Sequence, residues 1–139
     1  MDEDRKMTNL VPPHGSETLK PLLVQEDVRS QEIARAENLK KIPMTSREVC
    51  DLLLLSMGAY TPLDGFMNEA DWRGVCENMK LDDGLFWPIP VTVSADQGLA
   101  DQIDISEDMA LVDENTQQIM GILTVEEKYS PDLALECKN

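Results

Sequence analysis

Histidine is the side chain most often recruited for acid–base and nucleophilic chemistry near neutral pH, and the sequence contains one, His14. With a single imidazole, no Ser-His-Asp triad, His–Cys arrangement with a second histidine or two-histidine metal site is expected within one chain. The setting Pro12-Pro13-His14-Gly15 reads as a surface loop. The three cysteines, Cys50, Cys76 and Cys137, lie far apart without a C-x-x-C pair. They therefore predict neither a disulfide framework nor a zinc site, but thiols in a reducing compartment. The acidic pairs Asp82-Asp83, Glu107-Asp108 and Glu126-Glu127 lack the alternating oxygen ligands of a calcium loop and read as solvated turns. Neither a G-x-x-x-x-G-K-[ST] phosphate loop nor a G-x-G-x-x-G turn is present. Trp72 and Trp87 are expected in the core rather than against a ligand, and Arg47 and Arg73 on solvent or beside local carboxylates. The residues by themselves thus give no catalytic, cofactor-binding or metal site.

The charge balance restricts partners in the same direction. Twelve Lys and Arg oppose 27 Asp and Glu among 139 residues, so 12 − 27 leaves −15. Displacing counterions from phosphates needs a basic surface, which disfavours nucleic acid and anionic membranes as partners. Hydrophobic residues make up 42%, enough for one core, while aromatics are only 4%. Leu, Val, Ile and Met must therefore fill it. No apolar run approaches the roughly 20 residues of a membrane helix. The acidic opening MDEDRKM is no signal peptide, so a soluble, cytoplasmic protein is expected.

The elements that position these residues can be read in order. Residues 1–9 are expected to form a flexible leader, and 10–23, with three prolines and Gly15, an extended arm over the domain. Glu26 to Asn38 predicts a surface helix with Ile33, Ala34 and Ala36 on its apolar side. Thr45 and Glu48 form a capping-box pattern before a core helix whose face is Val49, Leu52, Leu53 and Met57, with Gly58 as its stop. Asn68 should cap a further helix carrying Trp72, Val75, Cys76 and Met79 at i, i+3, i+4 and i+7, ended by Asp82-Asp83-Gly84. Alternation from Trp87 to Ser94 predicts a strand, demoted to an edge by Pro88 and Pro90. Met109–Val112 and Ile119–Val125 should flank the turn 113–117, and Ser130-Pro131-Asp132 should begin a last helix. Helices followed by strands indicate an α+β fold.

The string Thr45-Ser46-Arg47-Glu48-Val49-Cys50-Asp51-Leu52, continued by Gly58-Ala59-Tyr60-Thr61-Pro62-Leu63-Asp64-Gly65-Phe66-Met67, resembles the N-terminal part of bacterial and archaeal sulfate adenylyltransferases (ATP sulfurylases). The likeness continues through Asp71-Trp72, Met79-Lys80-Leu81 and Phe86-Trp87-Pro88-Ile89-Pro90-Val91-Thr92, and Leu10-Val11-Pro12-Pro13-His14-Gly15 is similar to the family's opening segment. The resemblance implies a PUA-like pseudo-barrel with helices packed on a small mixed or antiparallel sheet. It would span residues 10–131, and 132–139 would begin a helix leading to a catalytic domain that this chain lacks. It further implies a nucleotidyltransferase parent that makes adenylyl sulfate and pyrophosphate from ATP and sulfate, with magnesium accompanying the nucleotide. The family's Gln-x-Arg-Asn segment with its histidine pair and its later Gly-Arg-Asp segment do not occur here. No catalytic residue, cofactor or metal therefore transfers to this chain, and the fragment alone is expected to be inactive. Its implied role is to support the catalytic domain, with subunit contacts in a homo-oligomeric parent as a second role. Tyr60, Pro62, Gly65, Phe66 and Met67 are the interface candidates, since Pro62 and Gly65 can shape the loop while Phe66 and Met67 offer apolar anchors. The competing reading is a free-standing PUA-like RNA-binding module, which the charge of −15 disfavours. Leu133 and Cys137 on the last helix read as surface that the absent domain would cover.

Overall fold

The computed structural model describes residues 11–137, so the leader expected over residues 1–9 and positions 138–139 of the helix expected over 132–139 lie outside the described residues. Eight elements follow in order: α1 (Glu26–Glu37), β1 (Lys41–Met44), α2 (Ser46–Ser56), α3 (Glu69–Asn78), α4 (Gln97–Ala100), β2 (Asp108–Asp113), β3 (Ile119–Thr124) and α5 (Leu133–Glu136). The sheet has the order β1-β2-β3, with β1 parallel to β2 and β3 antiparallel to it. This is the expected α+β arrangement with a small mixed sheet. It departs from strict helices-then-strands because β1 precedes α2. Ile42 and Met44 alternate inward, but a four-residue strand containing Pro43 gives too short a pattern to read. Pro43 is tolerated because β1 lies at the edge, where one side of the strand needs no ladder partner.

The two strong helix starts form as their residues dictate. The Thr45 hydroxyl accepts from the Glu48 amide and the Glu48 side chain accepts from the Thr45 amide, which is the full capping box. Asn68 Oδ1 accepts from the Asp71 amide at 2.9 Å to begin α3. The buried faces differ from the expected ones at the helix ends. Leu53 on α2, Met57 just after it and Met79 after α3 are exposed, whereas Glu48, Asp51 and Leu55 are buried. On α3, Trp72, Val75 and Cys76 are buried as expected. Met79 leaves the stripe because it occupies the left-handed C-cap position at φ 53°, one step beyond the helix. On α1 only Ala36 is buried and Ile33 is exposed.

The strand expected over Trp87–Ser94 is not formed. Pro88 and Pro90 remove two N–H donors, and the amides of Trp87, Val91 and Ser94 each find a separate partner instead of a ladder. Trp87 N–H donates to the Met79 carbonyl at 2.9 Å, and Ser94 N–H donates to Glu48 Oε2 at 2.6 Å. Part of the alternation survives as burial, since Trp87 and Val91 are buried while Ile89 is exposed. The segment is therefore an extended strap between two hydrophobic clusters. One cluster centres on Leu55, Trp72, Val75, Trp87 and Val91, the other on Ile42, Met44, Met109 and Leu111. Phe66 packs against both.

The arm crosses the surface as expected. Lys20 N–H donates to Thr61 Oγ1 at 2.9 Å, and the amides of Leu22 and Leu23 both donate to the Ser56 carbonyl. Gly58 makes this crossing possible: its φ is +82°, and a Cβ there would lie 3.1 Å from the Pro21 nitrogen. Gly58→Ala is expected to cost about 1–2 kcal/mol, from left-handed strain plus displacement of the arm, as read by urea denaturation.

Candidate functional site

The loop from Tyr60 to Met67 is tied to the core at several points, and each candidate in it has a definite place. The Tyr60 hydroxyl donates to Asp51 Oδ1 at 3.1 Å, and its ring meets Trp87 edge-on with centroids 5.5 Å apart. Burial, reinforced by Asp51, pushes the Tyr60 hydroxyl pKa upward. Thr61 Oγ1 donates to the Gly58 carbonyl at 2.7 Å. Met67 is buried: its N–H donates to the Val91 carbonyl at 2.8 Å, and its carbonyl accepts from the Tyr129 hydroxyl at 3.0 Å. Burial also raises the Tyr129 hydroxyl, to about 12. Pro62, Gly65 and Phe66 are half-buried. A Cβ on Gly65 would meet nothing within 4 Å, so this glycine is not what shapes the loop. The structure thus joins Tyr60 and Met67 to the core and leaves the edges of Pro62, Gly65 and Phe66 at the surface.

His14 is exposed and belongs to the same side of the molecule. Its Nε2 donates to the Phe86 carbonyl at 2.7 Å, and its ring lies 6.1 Å from that of Trp87. The imidazole therefore pins the arm to the segment after α3. Trp72 and Trp87 are both buried, as expected of core residues. Arg73 pairs with Glu69 at 3.2 Å and Glu77 at 3.8 Å along its own helix. Arg47 is exposed.

Glu48 is the residue that sequence reasoning understated. It is read there as half of a capping box, but its second oxygen also receives Ser94 N–H and Ser94 Oγ, at 2.6 and 3.3 Å. Its position at the third residue of α2 is visible in the sequence. The partner 46 residues away is not.

Of the three acidic pairs, Glu107-Asp108 is not the expected solvated turn but a structural group, with Asp108 opening β2. Asp108 accepts from the Thr124 hydroxyl at 2.6 Å and from Arg35 at 2.7 Å, tying α1 to β2 and β3. The Thr124 hydrogen bond, then Arg35, holds its pKa below the ordinary aspartate value. For Glu107 the Asp104 amide, then Lys40, has the same effect. Both groups bind protons less tightly when folded, so the unfolded chain takes up more protons as pH falls. Their stabilisation is present above about pH 5 and is lost as pH falls through 4 and below. An acid titration of stability should show this decline, and Asp108→Asn should flatten part of it. Among the described residues, no group of three or more His, Cys, Asp or Glu could hold a metal ion. No described helix is long and apolar enough to cross a membrane. A mostly apolar cleft of about 200 Å³ lies between the sheet, the strap and residues 127–131, with Tyr129 and Lys128 on its wall. Lys128 Nζ is directed to the carbonyls of Ala100 and Ile103, at 3.1 and 2.6 Å.

A small mixed sheet carrying helices, with a strap joining two hydrophobic clusters, defines an α+β domain. The chain belongs to the PUA-like domain family, whose profile matches residues 11–139. It is 52% identical over 134 residues to the sulfate adenylyltransferase of Syntrophobacter fumaroxidans, an alignment covering 96% of this chain and 33% of that protein. It is 50% identical over 135 residues to the sulfate adenylyltransferase of a Psychrobacter species, covering 94% and 32%. The corresponding protein of Thiobacillus denitrificans is 49% identical over 131 residues, again covering 94% and 32%. The chain thus spans about a third of the length of these relatives. Among solved structures, a hexameric APS kinase from Thiobacillus denitrificans superposes with a TM-score of 0.70 at 37% identity, over 83% of this chain and 23% of that one.

Proposed function

We propose that this chain is the N-terminal, non-catalytic domain of a sulfate adenylyltransferase, supporting a catalytic unit that forms adenylyl sulfate and pyrophosphate from ATP and sulfate. The observation that carries this reading is identity near 50% over nearly the whole chain to one third of proteins of that name. Charge supports the division of labour. Adenylyl transfer to sulfate gathers several negative charges and needs cationic groups and oriented N–H donors around them. This chain carries −15, and Lys20, Arg35, Lys40 and Arg73 are each paired with its own carboxylates. ATP, with magnesium, then belongs to the rest of the parent enzyme, acting in the cytoplasm. The Tyr60–Met67 loop, with the arm that crosses it, is the proposed side of contact with that unit. Further copies in a homo-oligomer are the proposed second partner, in keeping with the hexameric neighbour.

The test is a chimera in which this chain replaces the matching third of the Syntrophobacter fumaroxidans enzyme. Turnover within about tenfold of the parent is expected, together with loss of activity when that third is deleted. A folded chimera without turnover would overturn the reading. Fluorescence anisotropy with RNA at low salt should show no binding by the isolated chain, whereas strong, salt-sensitive binding would favour an RNA module.

A further inference from the structure

The arm and the end of α2 expose large apolar side chains that no described element covers. Leu19, Leu22, Leu23 and Val24 are 60%, 42%, 70% and 47% exposed, and Leu53 on α2 and Met57 just after it are 44% and 61% exposed. They form one surface because Leu22 and Leu23 both donate to the carbonyl of Ser56, the residue before Met57 and three after Leu53. The arm cannot turn this face inward. Gly58 packs against the Pro21 backbone beneath it, and Lys20 is fixed to Thr61. Exposed acids flank it along the chain, Glu17 before Leu19 and Glu26 and Asp27 after Val24, while Asp64 is paired with Lys20. Single exposed apolar residues are ordinary, but a contiguous patch bounded by charges marks a contact surface.

We propose that this patch is where the remaining two thirds of the longer sulfate adenylyltransferase polypeptide docks, an inference that rests on the function proposed above. Two observations select this occupant. The relatives are about three times as long as the segment they share with this chain. The patch is flanked by exposed acids, and a second copy would bring another −15 to the same edge. The patch also extends the Tyr60–Met67 loop outward, since the arm is bonded to Thr61 and Lys20 pairs with Asp64.

Methionine oxidation reads this contact directly. Met57 lies in the patch, Met79 is exposed elsewhere at 48%, and Met44 and Met109 are fully buried. The isolated chain and the chimera are oxidised with dilute peroxide and compared by peptide mass spectrometry. Slow oxidation of Met44 and Met109 reports that each protein is folded. Met57 should oxidise about tenfold more slowly in the chimera than in the isolated chain, with Met79 serving as the exposed reference. Equal rates for Met57 in both would overturn the docking surface. Concentration-dependent protection of Met57 in the isolated chain would instead assign the patch to a second copy. The two proposals fail separately: an active chimera with unprotected Met57 rejects only this surface, and a folded, inactive chimera rejects the function.

Discussion

Replacing Glu48 by alanine is expected to lower the unfolding free energy by about 3 kcal/mol, and the melting temperature by about 10 °C. The carboxylate is 1% exposed and receives four donors, two from Thr45 and two from Ser94. Hydrogen bonds to a charged acceptor contribute more than neutral ones, and removing the acceptor strands partly buried donors at two places. The first is the start of α2, where the cap alone contributes about 1 kcal/mol. The second is the strap, whose two prolines leave it few amides with which to attach to anything. Glu48→Gln keeps the shape and one acceptor oxygen, so it should cost less than half as much. Equilibrium urea unfolding of both variants checks the order, and an alanine variant within 0.5 kcal/mol of the parent would remove Glu48 from the account.

Trp72→Ala should be more severe, at about 3–5 kcal/mol, because the side chain is fully buried and the hole is too large for neighbours to fill. Its ring lies 6.0 Å from that of Tyr129, and its Nε1 donates to Glu136 at 2.7 Å. Trp72→Phe separates the two contributions. Phenylalanine keeps much of the apolar volume but cannot donate to Glu136, so global stability should fall modestly while α5 loosens. Limited proteolysis should then cut after residue 130 faster in Trp72→Phe than in the parent. Unchanged cleavage would show that α5 is held by Leu135 packing alone.

Local chemistry was legible wherever one short stretch decides the outcome. Thr45 with Glu48, and Asn68 with Asp71, cap their helices as their types and spacing require. The hairpin formed by β2 and β3 around residues 113–117 follows from apolar runs flanking a polar turn. What stayed hidden depends on partners distant in sequence. β1 exists because β2 offers it a parallel edge, which four residues containing a proline do not announce. The strap fails to become a strand because its amides are claimed singly by Met79, Met67 and Glu48. α4 is a single capped turn at Asp96, shorter than any periodic signal. Leu53 and Met57 read as core because apolar spacing cannot say which stripe of a leucine-rich helix faces inward. In the candidate loop, Phe66 and Met67 read alike as apolar anchors for an interface, yet Met67 is buried in the core. That Met67 points into the domain depends on Val91 and Tyr129, 24 and 62 residues onward.

The central proposal is that these residues support a longer enzyme whose catalysis lies outside this chain. The most direct measurement is a luminescent assay of ATP formation from adenylyl sulfate and pyrophosphate by the purified chain, with magnesium present and with folding verified by circular dichroism. The expected rate equals the protein-free blank at every substrate concentration. Saturable turnover that persists through further purification would contradict the assignment.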